Sequence, residues 1–340
     1  MSENTKIEWA DNSWSPWRGC TKVSAGCAHC YAETLSKRNP AVLGQWGKGK
    51  PRVLAKNWND PVKWNRKEAG KTVTHEEFYN AQRPRVFPSL CDWLDEDVPI
   101  EWLARFLNLI HDTPNLDWLL LTKRPENFRD RLITAIKSWT WADPADVKDR
   151  IEAWVDGSRL FQNVWIGTSV EDQSNADRRI PALLKIPARL RFLSVEPMLG
   201  PVDLKLMRRS FGFPQHITKD GHAVGMPQGI HWIIFGGESG PGSRPCNVDW
   251  IRDGVRQCAA AGVACFVKQL GAVPVYTAAG IEFSSDDGMD NVRAHWTDPG
   301  WMIHWNSAHN SAQKITHSKG GDPEEWPEDL RVRQFPEAKP

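Results

Sequence analysis

The sequence predicts an α/β fold, a partial (β/α) barrel of the TIM type with six or seven parallel strands. Three observations predict it. Short β-rich apolar runs recur about 25–45 residues apart, the spacing of βα units whose crossovers make strands parallel. Several of these runs are nearly unbroken apolar sequence, as in strands covered on both faces. The stretches between them carry helical periodicity. A doubly wound open sheet is the alternative allowed by the same rhythm.

In chain order, a short initial strand is expected near SWSPW (13–17). The later runs are RVFPSLC (85–91), DWLLLTK (117–123), VWIGTSV (164–170), LRFLSVEP (190–197), HWIIFGG (231–237) and ACFVKQL (264–270). Between them, Trp102, Leu103, Phe106, Leu107 and Ile110 recur on one helical face. Ile251, Val255 and Cys258 repeat that pattern, and Gly262 stops the helix. Three regions break the rhythm. Residues 32–84 are basic and Trp-bearing, residues 205–229 read as a loop or hairpin insert, and residues 272–340 have no clear period. The expected organisation is a barrel over 1–271, inserted at about 205–229, with a C-terminal extension over 272–340 packing on it.

Length and composition bound the function. A chain of 340 residues, 40% hydrophobic and 25% charged, builds a substantial core. Its formal net charge of +1 gives no global signature for nucleic acid or membrane, although a local basic groove stays open. The stretch KGKPRVLAKNWNDPVKWNRK (48–67), with Trp58 and Trp64 among its cations, would suit a nucleic-acid strand; a solvated face is the plainer reading. Nineteen tryptophans against three tyrosines are expected chiefly to pack the core. The first residues lack a signal peptide's apolar centre, and no run approaches a membrane span, so a soluble cytoplasmic protein is expected.

The chemistry starts from Cys20, Cys27 and Cys30, spaced C-x6-C-x2-C. Thiolates bind soft metals, and a reducing cytosol does not keep such a cluster as disulfides. Three ligands leave a coordination position open, whereas a closed structural zinc site needs four. The pattern therefore favours iron–sulfur, with zinc open if His29, Cys91 or Cys246 supplies a fourth ligand. Gly19 and Gly26 each precede a ligand and permit the tight backbone of such loops. Because the loop follows the first strand, it belongs at the carboxyl end of the barrel, where such folds keep active sites.

The strand ends form a second constellation: Asp92, Lys123 with Arg124, Ser169 with Glu171, Ser194 with Glu196, and Glu238 with Ser239. Repeatedly ending an apolar strand in a charge is costly unless the charge is used. Helix capping at βα turns is the competing reading. Gly236 and Gly237 open a glycine-rich loop that lets backbone amides approach a ligand, without the Walker ending. Cys258 and Cys265 read as core residues, while Cys91 and Cys246 fall on the expected active face. None of the scattered histidines has a metal-site spacing.

CTKVSAGCAHCYAE (20–33), LLLTKRPENF (119–128), VWIGTSVEDQSNADRRIP (164–181), RFLSVEPMLGPVDL (191–204), WIIFGGESGPGSRP (232–245) and EEWPEDLRVRQFP (324–336) carry a resemblance. Together they resemble the phage-associated three-cysteine-motif family of radical-SAM-like proteins. That resemblance implies a partial barrel of the radical S-adenosylmethionine kind and a [4Fe–4S] cluster on Cys20, Cys27 and Cys30. It also implies S-adenosyl-L-methionine on the open iron, cleaved to a 5′-deoxyadenosyl radical by an electron from a donor. His29, Lys123, Arg124, Ser169, Glu171, Ser194, Glu196, Gly236, Gly237 and Glu238 are then the candidates for holding the cofactor. Lys123, Glu196 and Cys91 are the candidates for catalysis, Cys91 as a hydrogen donor to a substrate radical. The spacing departs from the commonest C-x3-C-x2-C by three residues. A nucleic acid or nucleotide is the expected substrate. The alternatives are a non-catalytic nucleic-acid-binding protein with structural zinc or iron–sulfur, and an inactive barrel scaffolding a partner protein encoded nearby.

Overall fold

The computed structural model describes residues 2–69, 83–139, 145–205, 216–217, 223–224, 229–277, 301–305, 311–314 and 316–336. Its main sheet has eight strands, arranged in chain order. They are β1 (Ser2–Glu3), β2 (Asn12–Ser13), β3 (Arg85–Phe87), β4 (Asp117–Thr122), β5 (Val164–Ser169), β6 (Leu190–Val195), β7 (Trp232–Gly236) and β8 (Ala264–Gln269). Every neighbouring pair from β2 to β8 is parallel, and β1 runs antiparallel at the edge. The sheet curls into a half-barrel. An order that never reverses has no topological switch point, which removes the doubly wound alternative.

The helices are α1 (Tyr31–Ser36), α2 (Pro40–Leu43), α3 (Asn59–Glu68), α4 (Ile100–Asp112), α5 (Phe128–Ser138), α6 (Ala145–Asp156), α7 (Gln173–Leu184) and α8 (Val248–Ala261). On α4 the expected face buries Leu103, Phe106, Leu107 and Ile110, with Trp102 at its half-buried margin. Gly262 ends α8 in the left-handed region at φ 68°, as its position in the sequence requires. None of the described helices is long and apolar enough to cross a membrane.

Side-chain alternation assigns the two faces of the sheet. Trp118, Leu120, Ile166, Leu193, Ile233, Phe235 and Val267 pack against the helices. The intervening Phe87, Leu119, Trp165, Phe192, Trp232, Ile234 and Phe266 pack on each other and on Trp9 from the N-terminal segment. Strands covered on both faces explain the unbroken apolar runs. Gly167 leaves room on the inner face: a Cβ there would lie 2.4 Å from the Phe192 ring. Ten of the nineteen tryptophans are buried among the described residues, so packing is their main use. Trp64 is one of them, and Trp58 packs edge-on to Trp14 beneath the Arg105 guanidinium. Neither presents a free stacking platform of the kind the basic stretch suggested.

The expected first strand divides: β2 joins the sheet, while Trp17–Arg18 pairs antiparallel with Val53–Leu54. Of the expected insert, His216–Ile217 and Ala223–Val224 pair antiparallel, and most of the remainder lies outside the described residues. Pro274–Thr277, Trp301–Trp305 and Ser311–Lys314 form a small sheet with Cys246–Asn247. The tail then returns to the main sheet. Val267 N donates to Val332 O at 2.8 Å and Gln334 N to Cys265 O at 2.8 Å, adding the tail to the edge of β8.

Candidate functional site

The cysteine loop lies across the carboxyl ends of the strands. Gly19 bridges to Cys91 beyond β3, and Cys20 bridges to Trp46. Gly19 has φ 107°, and a Cβ there would sit 2.6 Å from the Gln45 carbonyl oxygen, so no other residue fits without strain. At Gly26 the reason is space alone, because a Cβ would lie 2.8 Å from Glu171 Oε1. A single turn, Ala25–Cys27, and the start of α1 then fix Cys27 and Cys30.

Two buried arginines hold the Cys20 arm. Arg52 Nη2 donates to Asp95 Oδ2 at 2.8 Å and to Asp97 Oδ2 at 3.1 Å, and it also reaches the Thr21 hydroxyl at 2.6 Å. Its Nη1 donates to the carbonyls of Gln45, Gly47 and Lys50. Arg124 follows β4 and donates to Asp92 Oδ2 at 2.8 Å, to Thr21 O at 2.5 Å and to Cys20 Sγ at 3.8 Å. Multiple charge-assisted bonds from a planar fork specify one loop path. Arg124 thus spends its guanidinium on the loop, leaving Lys123 as the cation of that pair facing the mouth.

Each later strand end contributes a charge. Glu171, fully buried beyond β5, accepts from Arg179 Nη1 at 2.7 Å and from the Ser24 hydroxyl. Burial works against its ionisation, but Lys123, Arg179 and Ser24 outweigh it and keep the carboxyl below its ordinary value. Glu238, beyond β7, binds Arg244 through Nε at 2.9 Å and Nη2 at 2.6 Å, and shares a hydrogen bond with His29 Nδ1 at 2.9 Å. Burial again opposes the charge, but Arg244 and His29 hold Glu238 down at about 2. Arg244 Nη1 also donates to Ala25 O at 3.0 Å, pinning the loop's centre. Glu196, beyond β6, pairs with Lys268 of β8, and Gly236 lies beside it. Helix capping falls to Asp172 and Asn247, not to Glu171 or Glu238.

Lys123 is different. Its backbone amide donates to Asp92 Oδ2 at 2.9 Å, yet among the described residues its ammonium makes no hydrogen bond or ion pair. That ammonium acts on both Glu171 and Cys30. Ser169 and Ser194 are buried opposite each other in the β5–β6 register. Gly237 approaches the β8 loop so closely that a Cβ would lie 2.2 Å from Leu270 O.

All seven cysteines are free thiols. Burial pushes Cys20 up to about 12, helped by Asp92 and opposed by Arg124. Burial also raises Cys30. Cys91 is half-buried beside Cys20, and burial followed by Asp92 and Cys20 raises it well above an ordinary thiol. Cys246 is fully buried among the core residues, which takes it off the active face expected from the sequence. Cys258 and Cys265 are core residues, as expected. Among the described residues no three His, Cys, Asp or Glu side chains already converge on one metal-sized point.

A family model described as "Protein of unknown function (DUF5131)" matches residues 4–319, spanning β2 to β8 and the cysteine loop. The chain belongs to the DUF5131 family. No curated protein and no solved structure matches it.

Arg52, Arg179, Arg244, Lys268 and Ser24 escaped the sequence reading of this DUF5131 chain. Arg52 lay in the stretch read as a possible phosphate contact, whereas its guanidinium is buried in ion pairs with Asp95 and Asp97. One signal was available for Lys268. It falls on the inner row of β8, two residues beyond Phe266, where a cation needs a partner.

Proposed function

We propose that this protein is a radical S-adenosylmethionine-type enzyme, its half-barrel a partial TIM-type barrel, with Cys20, Cys27 and Cys30 as ligands of a [4Fe–4S] cluster. The observation that carries this reading is the pairing of a three-thiol loop with the one-sided charge of Lys123. The donor set fits the group: three free thiols lie in one loop over the strand ends, and the Lys123 ammonium, with no hydrogen bond or ion pair among the described residues, acts on Cys30 and Glu171. When bound, such a cluster with S-adenosylmethionine supplies a 5′-deoxyadenosyl radical.

The chain's own residues have definable tasks. Lys123, whose ammonium is not committed to a hydrogen bond among the described residues, would offer it to the cofactor's carboxylate. Glu171 and Glu238 stay ionised at neutral pH because arginines hold them, so they keep negative charge near a sulfonium and an ammonium. Gly236 and Gly237 let β7 close on its neighbours: the Gly237 amide donates to Gln269 O, its carbonyl accepts from Gln269 Nε2, and its Cα lies against Leu270, so the pair shapes the site by packing and the Gly237 backbone is already paired. Arg52, Arg124 and Arg244 hold the loop through their own ion pairs and hydrogen bonds. A nucleic-acid substrate would have to use surfaces other than Trp58, Trp64 and Arg52.

Anaerobic reconstitution with iron and sulfide tests the reading. We expect about four iron per chain in a brown protein, and 5′-deoxyadenosine after reduction with S-adenosylmethionine present. Cys27→Ala should abolish both. A colourless protein binding zinc tightly, or unchanged iron in Cys27→Ala, would overturn it.

A further inference from the structure

We propose that the face made by α1, α2 and the adjoining cysteine loop docks an acidic one-electron carrier protein of the flavodoxin type. The inference takes the purpose of docking from the cluster reading above, but the surface argument stands on its own. Six large apolar side chains are exposed among the described residues, and four lie here: Val23 (38%), Tyr31 (58%), Leu35 (37%) and Val42 (45%). Tyr31 and Leu35, four residues apart on α1, share a side of the helix. The α2 turn carrying Val42 packs beside α1. The Lys22–Glu33 ion pair ties the Val23 segment to the same helix.

The segments carrying these anchors are predominantly basic, with Glu33 paired to Lys22 and Asp97 from a neighbouring loop bound to Gly49 N and Thr21. Residues 21–50 hold five basic residues, Lys22, Lys37, Arg38, Lys48 and Lys50, against Glu33 alone, a net of +4 in a chain whose total is +1. All five basic side chains are exposed, and Lys37 and Arg38 form no ion pair among the described residues. Apolar anchors rimmed by cations fit a partner with an acidic rim, which steers association and fixes orientation. Single-stranded nucleic acid also seeks basic surfaces, but it stacks on aromatic rings, and three of these four anchors are aliphatic. Tyr31 directly follows Cys30, so a partner seated here lies beside the thiol loop. In the exchange, the carrier's anionic flavin hydroquinone loses one electron and becomes the neutral semiquinone. The centre held by the three thiols gains that electron, and no atom or proton is transferred.

Calorimetric titration of the metal-free full chain with an acidic flavodoxin at low salt tests the docking. We expect a saturable one-to-one complex, weakened about tenfold or more by Leu35→Glu and by the pair Lys37→Glu with Arg38→Glu, with circular dichroism unchanged. In reconstituted protein the charge-reversed pair should lose flavodoxin-driven cofactor cleavage while dithionite-driven cleavage stays at the wild-type rate. Absence of a complex with both flavodoxin and an acidic ferredoxin, or a complex indifferent to these substitutions, overturns the proposal. So does tight binding of oligodeoxythymidine that the same substitutions abolish while flavodoxin is ignored. Should no cluster assemble while the complex forms with the expected variant pattern, the enzymatic reading fails and the docking face stands.

Discussion

The two ends of the half-barrel are built on opposite principles. Toward the amino end of the strands aromatic rings dominate the inner face, with the Arg83–Asp117 and Arg85–Asp11 ion pairs at the starts of β4 and β3. Trp232 lies 6.2 Å from Trp9, 6.0 Å from Trp165, 5.9 Å from Phe192 and 6.2 Å from Phe266, mostly in tilted or edge-on arrangements. The tail seals that end, with Phe335 5.3 Å from both Trp232 and Phe266. At the carboxyl end the same rows of residues finish in Lys123, Glu171, Glu196, Glu238 and Lys268, and most are paired to partners from other elements. The floor gains from area buried, which tolerates many partners. The mouth gains only where each charge meets a particular partner, since an unmatched buried charge is expensive. Stability is therefore concentrated below and selectivity above.

The largest effect expected from this contrast is at the floor. Trp232→Ala removes the hub of the aromatic cluster and the indole N–H that donates to Gln334 O at 2.9 Å. It should cost about 3–5 kcal/mol of folding free energy, read as a lower urea midpoint. On the cluster reading proposed above, iron bound per folded molecule after reconstitution should not change. A loss of iron larger than the loss of folded protein would show that the two ends are not separable.

The division explains what the sequence discloses. The floor and the helix-facing layer are legible because burial on a strand or helix leaves a period: DWLLLT and HWIIFG mark β4 and β7, and Leu103 through Ile110 mark α4. The placement of the cysteine loop at the mouth is legible too, because a loop after a parallel strand must emerge at its carboxyl end. The clamps are not. Arg52 meets Asp95 across 43 residues, Lys268 meets Glu196 across 72, and Arg244 meets Ala25 across 219. A long-range ion pair leaves no periodic trace, so a buried arginine reads like any surface cation. The tail also escaped, although the alternation in LRVRQF, with Val332 packed inward, is the signature of an edge strand.

Second in size is the mouth itself. Arg124→Met leaves Asp92 buried without its cation and frees the Thr21 carbonyl. Breaking a buried pair costs about 3–5 kcal/mol when the remaining charge cannot relax, but the nearby solvent at the mouth should let much of this appear as local opening. Limited proteolysis should then cut between Gly19 and Cys30 before the urea midpoint has moved far. Arg124→Lys should restore part of the protection by keeping the charge while losing the fork. If both variants unfold globally with an uncut loop, the clamp is part of the core and the contrast between the ends fails.

The third effect depends on pH. Glu238 is held down at about 2 against an ordinary 4.5, so its contribution is fully present above 4.5 and disappears as pH falls toward 2. Screened by solvent, that contribution is on the order of 1–2 kcal/mol. Glu238→Gln should therefore be less stable than the wild type at pH 7, and the difference should shrink between pH 4.5 and 2. A difference that stays constant across that window would mean the glutamate acts by shape and not by charge.

The smallest effect is at the seal. Phe335 is 37% exposed, so it buries only part of its ring, and the Arg85 guanidinium 4.0 Å above that ring gains from its face. Phe335→Ala removes a tilted ring contact from Trp232 and an edge contact from Phe266 but leaves the tail's backbone bonds to β8 in place. It should cost about 1 kcal/mol, and Phe335→Leu should recover roughly half by keeping apolar area without the ring. Indole fluorescence offers the local readout: the Trp232 environment should become more polar in Phe335→Ala while the urea transition stays two-state. If Phe335→Ala instead costs as much as Trp232→Ala, the tail closes the barrel as a structural strand and the floor extends to the end of the described chain.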